Sequence, residues 1–187
     1  MVMAGRIGSF GAARTASVVP VVAEQTIFDH GTVTFVGSNE PGTAVTLGIV
    51  FTASAAGEVR SVGFWKTTDD TANARSVAVY SAAGALLASG ASTGESAGPG
   101  WQSIDLGSPV SITPLTLYVA AAHFPLGAYP AQAGVFGAPI VRGDVIGESE
   151  VGAGGAQGRW KYGALIAYPD GDGGGASYGI DVGFVAN

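Results

Sequence analysis

The sequence contains no cysteine, so it has neither disulfide bonds nor thiolate metal ligands. Charged residues are also scarce, at 12% of 187 residues, and they leave a net charge of −6. An acidic chain without a run of Lys or Arg lacks the electrostatic footprint for nucleic acid or anionic lipid. No apolar run approaches the ~20 residues that a membrane helix needs. We therefore expect neither nucleic-acid binding nor membrane insertion.

Motifs for metal, nucleotide and hydrolytic chemistry are also lacking. With only two histidines and no HxxxH spacing, a zinc site is not expected. Residues 94–98 spell G-E-S-A-G, the nucleophile elbow, but that motif must be followed by a helix, and here a strand is predicted from Trp101. The carboxylate pairs at 69–70 and 170–172 lack a full calcium-ligand set, and a structural calcium assembled from several loops stays open. We predict no enzyme, cofactor or bound metal.

Short segments in which apolar and other residues alternate, separated by glycine-rich turns, make up most of the sequence. Residues 45–66 form the clearest example, with Val45, Leu47, Ile49 and Phe51 at every second position. This stretch predicts two strands joined tightly as an antiparallel hairpin. Further strands are predicted at 24–30, 75–80, 85–91, 101–106, 109–113, 115–124, 159–162, 164–168 and 178–185. From these eleven segments we expect roughly nine short strands, and their spacing indicates an all-β fold, a jelly-roll-like antiparallel β-sandwich with an extended N-terminal arm.

We assign the arm to residues 1–23 and the β-sandwich domain to residues 24–187. Residues 21–23 resemble a signal-peptidase site, but glycines and an arginine interrupt the segment before them, so a signal peptide is not expected. The arm is too short and weakly patterned to bury its own apolar side chains. We expect it to dock on a neighbouring subunit through Ile7, Phe10, Val18, Val19, Val21 and Val22. The alternative is that the arm packs back on its own domain and completes the core.

Several segments of the chain are individually unspecific, but the order in which they follow one another is characteristic. They are TIFDH at 26–30, residues 45–66, VYSAAGALLASG at 79–90, GWQSIDLGSPVSI at 100–112, LYVAAAHF at 117–124, and the closing GRWKYG and YGIDVGFV. In this order the chain resembles an uncharacterised actinobacterial β-sandwich domain of unknown function. That family occurs in large secreted proteins beside carbohydrate-active modules, and related domains occur in actinophage tail proteins. The resemblance implies a sandwich without known catalysis.

Aromatic residues near the irregular loops are the candidates for ligand binding. An apolar sugar face stacks on an aromatic ring, although most aromatic residues of a sandwich fill its core. Trp101 begins a patterned strand and is assigned a structural role. Trp160, Tyr162 and Tyr168 are the candidate glycan-binding residues.

These observations predict a non-catalytic structural or adhesive module of an extracellular assembly. A phage virion, with the chain as a minor tail or decoration protein, is the leading interpretation. The partners would then be other virion subunits or further copies of the chain, together with a cell-surface glycan. The alternative is a secreted carbohydrate-binding module.

Overall fold

Eleven strands form two antiparallel sheets in this computed structural model, which describes residues 23–187. Across those residues there is no helix, and hence none long and apolar enough to cross a membrane. The predicted all-β sandwich is confirmed. The strands are β1 Val45–Ala53, β2 Gly57–Lys66, β3 Arg75–Ser81, β4 Leu86–Ser92, β5 Gly100–Ile112, β6 Tyr118–Phe124, β7 Ile140–Arg142, β8 Val145–Gly147, β9 Gly158–Tyr162, β10 Gly171–Asp172 and β11 Ile180–Ala186.

The large sheet has eight strands and is built around β1. Six of them follow the order β10-β9-β1-β6-β3-β4, and the β7–β8 pair joins the end of β1. All nine residues of β1 are buried, because one face lies on the main core and the other under loops. A strand that is covered on both faces reads as a nearly continuous run of small and apolar residues, as β1 does.

One side-chain amide completes the hydrogen bonding of β1. β9 pairs with the first part of β1 and β8 with its end, which leaves Val50 between them. The fully buried Gln157 accepts from the Val50 N–H at 3.0 Å and donates to the Val50 carbonyl at 2.8 Å. Because an unpaired buried backbone group is unfavourable, this amide makes the junction of β8 and β9 possible.

The small sheet has the order β11-β2-β5 and covers one face of the large sheet. Along one side of the sandwich β4 and β5 approach each other closely, since a Cβ on Gly90 would lie 2.1 Å from the Asp105 carbonyl oxygen. Only a glycine allows two backbones to come this near. The largest fully buried apolar side chains between the sheets are Phe51, Phe64, Phe124, Phe136, Phe184, Ile27, Leu47 and Ile180.

The predicted hairpin of residues 45–66 is wrong, although both strands exist. β1 pairs with β6, β8 and β9 in the large sheet, whereas β2 pairs with β5 and β11 in the small one. The short link of residues 54–56 therefore passes from one sheet to the other at the surface of the sandwich, where Ser54 and Ala56 are exposed. Its sequence, Ser-Ala-Ala, lacks the Asn-Gly or Asp-Gly pair that favours a two-residue hairpin turn.

Other strand boundaries also differ from prediction. Residues 24–30 contribute only one bridge, between Gln25 and Phe184 of β11, and residues 164–168 form no strand. The segments predicted at 101–106 and 109–113 form the single strand β5, with a register irregularity in its pairing with β2. A bulge of this kind lets one long strand pass the point where two short ones were expected.

A buried carboxylate replaces strand pairing where residues 24–30 leave the edge of β11. The side chain of Asp181 is fully buried, and its oxygens accept from the N–H groups of Ile27 at 2.8 Å and Phe28 at 3.0 Å. The ring of His30 lies 2.9 Å from the same carboxylate through Nε2. Charge-assisted hydrogen bonds of this kind are stronger than those between neutral groups. Asp181 thus fixes the start of the sandwich to its last strand.

The arm residues Ile7, Phe10, Val18, Val19, Val21 and Val22 lie outside the described residues. Their role, and the division at residues 23 and 24, stay predictions.

Candidate functional site

Trp160 and Tyr162 lie side by side on β9 and are partly exposed. In the pairing of β9 with β1, Trp160 is opposite Leu47 and Tyr162 opposite Val45, both of which face the main core. Beyond β9 the sheet continues only as the two residues of β10, so the rings reach past the covered part of the core. Their centroids are 5.2 Å apart at an interplanar angle of 51°, and 48% of Tyr162 is exposed.

Glu40 holds Tyr162 in place from a loop more than a hundred residues earlier. The Tyr162 hydroxyl donates to the Glu40 carboxylate, at 2.8 Å from Oε1 and 2.7 Å from Oε2. The Tyr129 hydroxyl donates to Oε2 of the same group at 3.0 Å. One carboxylate therefore orients two phenols, and this hydrogen bond is the main cause that raises the pKa of Tyr162.

The loop that carries Glu40 is itself fixed by backbone hydrogen bonds. Asn39 N–H donates to the Tyr129 carbonyl at 2.9 Å, and Ala128 N–H donates back to the Asn39 carbonyl at 2.9 Å. Glu40 has a φ of 46°, in the left-handed region that non-glycine residues seldom adopt. Such a conformation persists where the surroundings enforce it, so Glu40 is preorganised.

Two more tyrosines lie behind the exposed pair. Tyr129 is 7% exposed and meets Tyr178 edge to face, with ring centroids 5.9 Å apart. Burial is the main cause that raises the pKa of both phenols, and the charge of Glu40 adds to it in each case. The charge of Asp172 also raises the pKa of Tyr178, but the pairing of β10 with β9 sets Asp172 opposite Arg159, so its side chain belongs to the other face of the sheet. We call Glu40, Tyr129, Trp160, Tyr162 and Tyr178 the aromatic face.

The strand β10 fixes the indole ring of Trp160. The indole N–H donates to the Asp172 carbonyl at 3.2 Å. A Cβ on Gly171 would lie 2.6 Å from the ring, so the glycine backbone packs directly against the indole. The aromatic face is therefore built from three loops and strand β9, and β10 holds the indole ring in a fixed orientation.

The structure does not bring Tyr168 to this surface. Tyr168 packs on the opposite side of the large sheet, in the cluster that contains Val50 and Tyr80. Its ring lies 5.5 Å from that of Tyr80, and its hydroxyl donates to the Ala82 carbonyl at 2.8 Å. Of the three candidate glycan-binding residues, Trp160 and Tyr162 adjoin each other and Tyr168 is separate.

The G-E-S-A-G loop lies between β4 and β5, so a strand follows the serine where a nucleophile elbow needs a helix. Its Glu95 side chain is 2% exposed and bridges two cations. Glu95 Oε2 is 3.1 Å from Lys66 Nζ, and Oε1 is 3.2 Å from Arg75 Nε. Arg75 also pairs with the buried Asp70. These contacts give the glutamate of the motif a structural role.

The guanidinium of Arg75 also lies between two aromatic rings. Its Cζ is 4.3 Å from the ring centroid of Phe64 and 4.1 Å from that of Phe124. The cluster of ion pairs around Arg75 thereby contacts both sheets, because Phe64 belongs to β2 and Phe124 to β6.

The histidines and the close carboxylates have structural partners. His123 is buried, with Nδ1 3.2 Å from Thr46 Oγ1, and burial lowers its pKa. His30 stacks on Trp101 at 4.1 Å. Asp170 accepts from Lys161 at 2.6 Å. Within residues 23–187, no three His, Cys, Asp or Glu side chains are grouped so that they could hold a metal ion.

Sequence reasoning missed Glu40, Tyr129 and Tyr178. Glu40 lies in a polar loop between strands, where nothing in the local pattern points to a distant tyrosine. Tyr178 was read as the start of the last strand, and Tyr129 fell in a glycine- and alanine-rich stretch. Only the pairing of β9 with β1, which brings residues 158–162 alongside 45–49, makes the cluster visible.

The fold and the aromatic face together define a small β-sandwich module with one exposed aromatic surface. The chain belongs to the family described as domain of unknown function DUF4082, whose model matches residues 32–180. A comparison with curated proteins found no match.

Proposed function

We propose that the chain is a non-catalytic adhesive module that binds glycans on the aromatic face. The observation that carries this proposal is the adjacent, partly exposed pair of Trp160 and Tyr162, with the phenol held by Glu40. Rings that are already oriented lose little conformational freedom when a ligand stacks on them. The hydroxyl and carboxylate groups beside them offer hydrogen-bonding partners for sugar hydroxyls.

One module offers a small contact area, so we expect a dissociation constant of about 1 mM, which corresponds to roughly −4 kcal/mol. Useful adhesion then requires several modules on one particle, since linked sites raise the overall affinity by about 10²- to 10⁴-fold. For this reason we place the module in a multi-copy extracellular assembly.

A phage virion is our first choice for this assembly, supported by the resemblance to domains of actinophage tail proteins. A secreted carbohydrate-binding module is the second, supported by the resemblance to domains beside carbohydrate-active modules.

A glycan array probed with a tetravalent display of the full chain tests the binding. We expect signals that Trp160→Ala and Tyr162→Ala remove while circular dichroism stays that of the wild type. Tyr168→Ala is the matched control, because it removes an aromatic ring from the opposite side of the same sheet. A blank array for the tetravalent wild type would refute the proposal. Loss of binding in the Tyr168 variant alone would move the site to the other side of the sheet.

A truncation tests the assembly part. Deleting residues 1–23 is expected to leave a folded sandwich that no longer assembles, as measured by light scattering after size exclusion. A truncated chain that assembles like the full one would contradict the docking role of the arm. Labelling of purified phage particles by an antibody to the domain separates the virion from the secreted alternative.

A further inference from the structure

The aromatic face is negatively charged because of how β9 is oriented. Glu40 is exposed, and its carboxylate lies 2.8 Å and 2.7 Å from the Tyr162 hydroxyl through its two oxygens. The cations of β9, Arg159 and Lys161, alternate with the exposed rings and therefore point to the other side of the sheet. In the described part of the chain each has a partner there.

Those partners keep the two cations away from the face. Lys161 donates to Asp170 at 2.6 Å, and Arg159 donates to the Tyr168 hydroxyl at 3.1 Å. The Glu40 carboxylate accepts from the phenols of Tyr129 and Tyr162, and within residues 23–187 no Lys or Arg pairs with it. The ligand would thus meet one carboxylate beside aromatic rings.

Aromatic rings and carboxylates favour the same kind of ligand. The face of an indole or phenol ring attracts a cation, and most strongly that of tryptophan. A carboxylate at the rim attracts the same cation and repels an anion. A neutral sugar therefore gains binding free energy from stacking on the rings alone. A sugar with a protonated amine gains it from the rings and from the carboxylate.

We propose that the aromatic face selects glycans by charge and prefers sugars that carry a free, protonated amine over N-acetylated or acidic ones. This inference rests on the proposed function and names the substrate class of the same site. The preference must weaken as salt is added, since exposed charges are screened over about 8 Å at physiological ionic strength.

The test compares two ligands that differ only in charge. Oligomers of glucosamine and of N-acetylglucosamine of equal length are titrated into the full chain at low salt. The pH is about 6, where ordinary carboxylates are ionised and amines are protonated. Binding is followed by NMR shifts of the Trp160 indole N–H. We expect the amino oligomer to bind about two- to fivefold more tightly, the range that one exposed charge pair supplies.

Charge variants assign the preference to the face. Glu40→Gln should bring the two affinities closer together, because it removes the carboxylate beside the rings. Asp170→Asn is the matched control, since it removes the same charge beside Lys161 on the other side of the sheet. It should leave the preference unchanged.

The outcomes separate this inference from the proposed function. Equal affinity for both oligomers, or tighter binding of the acetylated one, overturns the charge preference and leaves glycan binding intact. An equal effect of Asp170→Asn also overturns it, because the net charge of the chain would then be the cause. Binding of neither oligomer, together with a blank array, overturns the proposed function and this inference with it.

Discussion

Replacing Asp181 with alanine tests whether one buried carboxylate fixes the start of the sandwich. The substitution leaves the N–H groups of Ile27 and Phe28 buried without their acceptor. An unsatisfied buried donor costs about 1–3 kcal/mol, so the two together should lower the free energy of unfolding by about 2–6 kcal/mol. Asp181→Asn keeps the shape but presents a single acceptor oxygen, and we expect an intermediate loss.

Urea unfolding followed by tryptophan fluorescence measures the change, with thermal unfolding as the second probe. For a domain of this size each kcal/mol lowers Tm by about 2–4 °C, so the alanine variant should melt about 4–24 °C earlier. Asp29→Ala is the control, because Asp29 lies in the same segment with an exposed side chain. Its loss should stay below about 1 kcal/mol. An Asp181→Ala variant as stable as Asp29→Ala would refute the reasoning.

Three further predictions concern the core, the sheet contact and pH. Arg75→Met leaves two buried carboxylates without their guanidinium and should destabilise the domain by about 3–5 kcal/mol in urea unfolding. Gly90→Ala forces a Cβ against the Asp105 carbonyl and should cost about 1–3 kcal/mol, whereas Gly94→Ala, which meets open space, should be neutral in the same assay. Because the folded-state pKa of Tyr129 is raised, the unfolded chain loses its proton first, so stability should fall as pH rises above about 10. A free energy of unfolding that is flat between pH 9 and pH 11 would contradict this last prediction.

Periodicity identified strands but not their partners. The alternation of residues 45–51 and 178–184 reports which side chains are buried, and both stretches do become strands. Strand pairing depends on contacts between segments that lie far apart in the chain. A local sequence pattern carries no information about those contacts. The hairpin prediction was wrong because a short link was assumed to turn within one sheet. Residues 54–56 instead connect two sheets, and their small side chains fit either geometry.

Only part of the candidate site could be predicted from the sequence, for a related reason. Trp160, Tyr162 and Tyr168 could be chosen from the sequence because all three are aromatic and lie near irregular loops. The first two, at i and i+2, share one face of β9, whereas the chain has reached the opposite side of the sheet by Tyr168. Glu40 could not be found this way, since its role comes from a hydrogen bond to a strand 122 residues later.

The link between β1 and β2 has a consequence for how the chain folds. Since these neighbours in sequence belong to different sheets, neither can gain a partner from the other, and β1 must wait for β6, β8 and β9. β2 likewise needs β11, which lies more than a hundred residues later in the chain. Domains that rely on such distant pairings fold in about milliseconds to seconds rather than microseconds. During synthesis the small sheet cannot be completed until β11 has left the ribosome, so one edge of β2 stays unpaired until then.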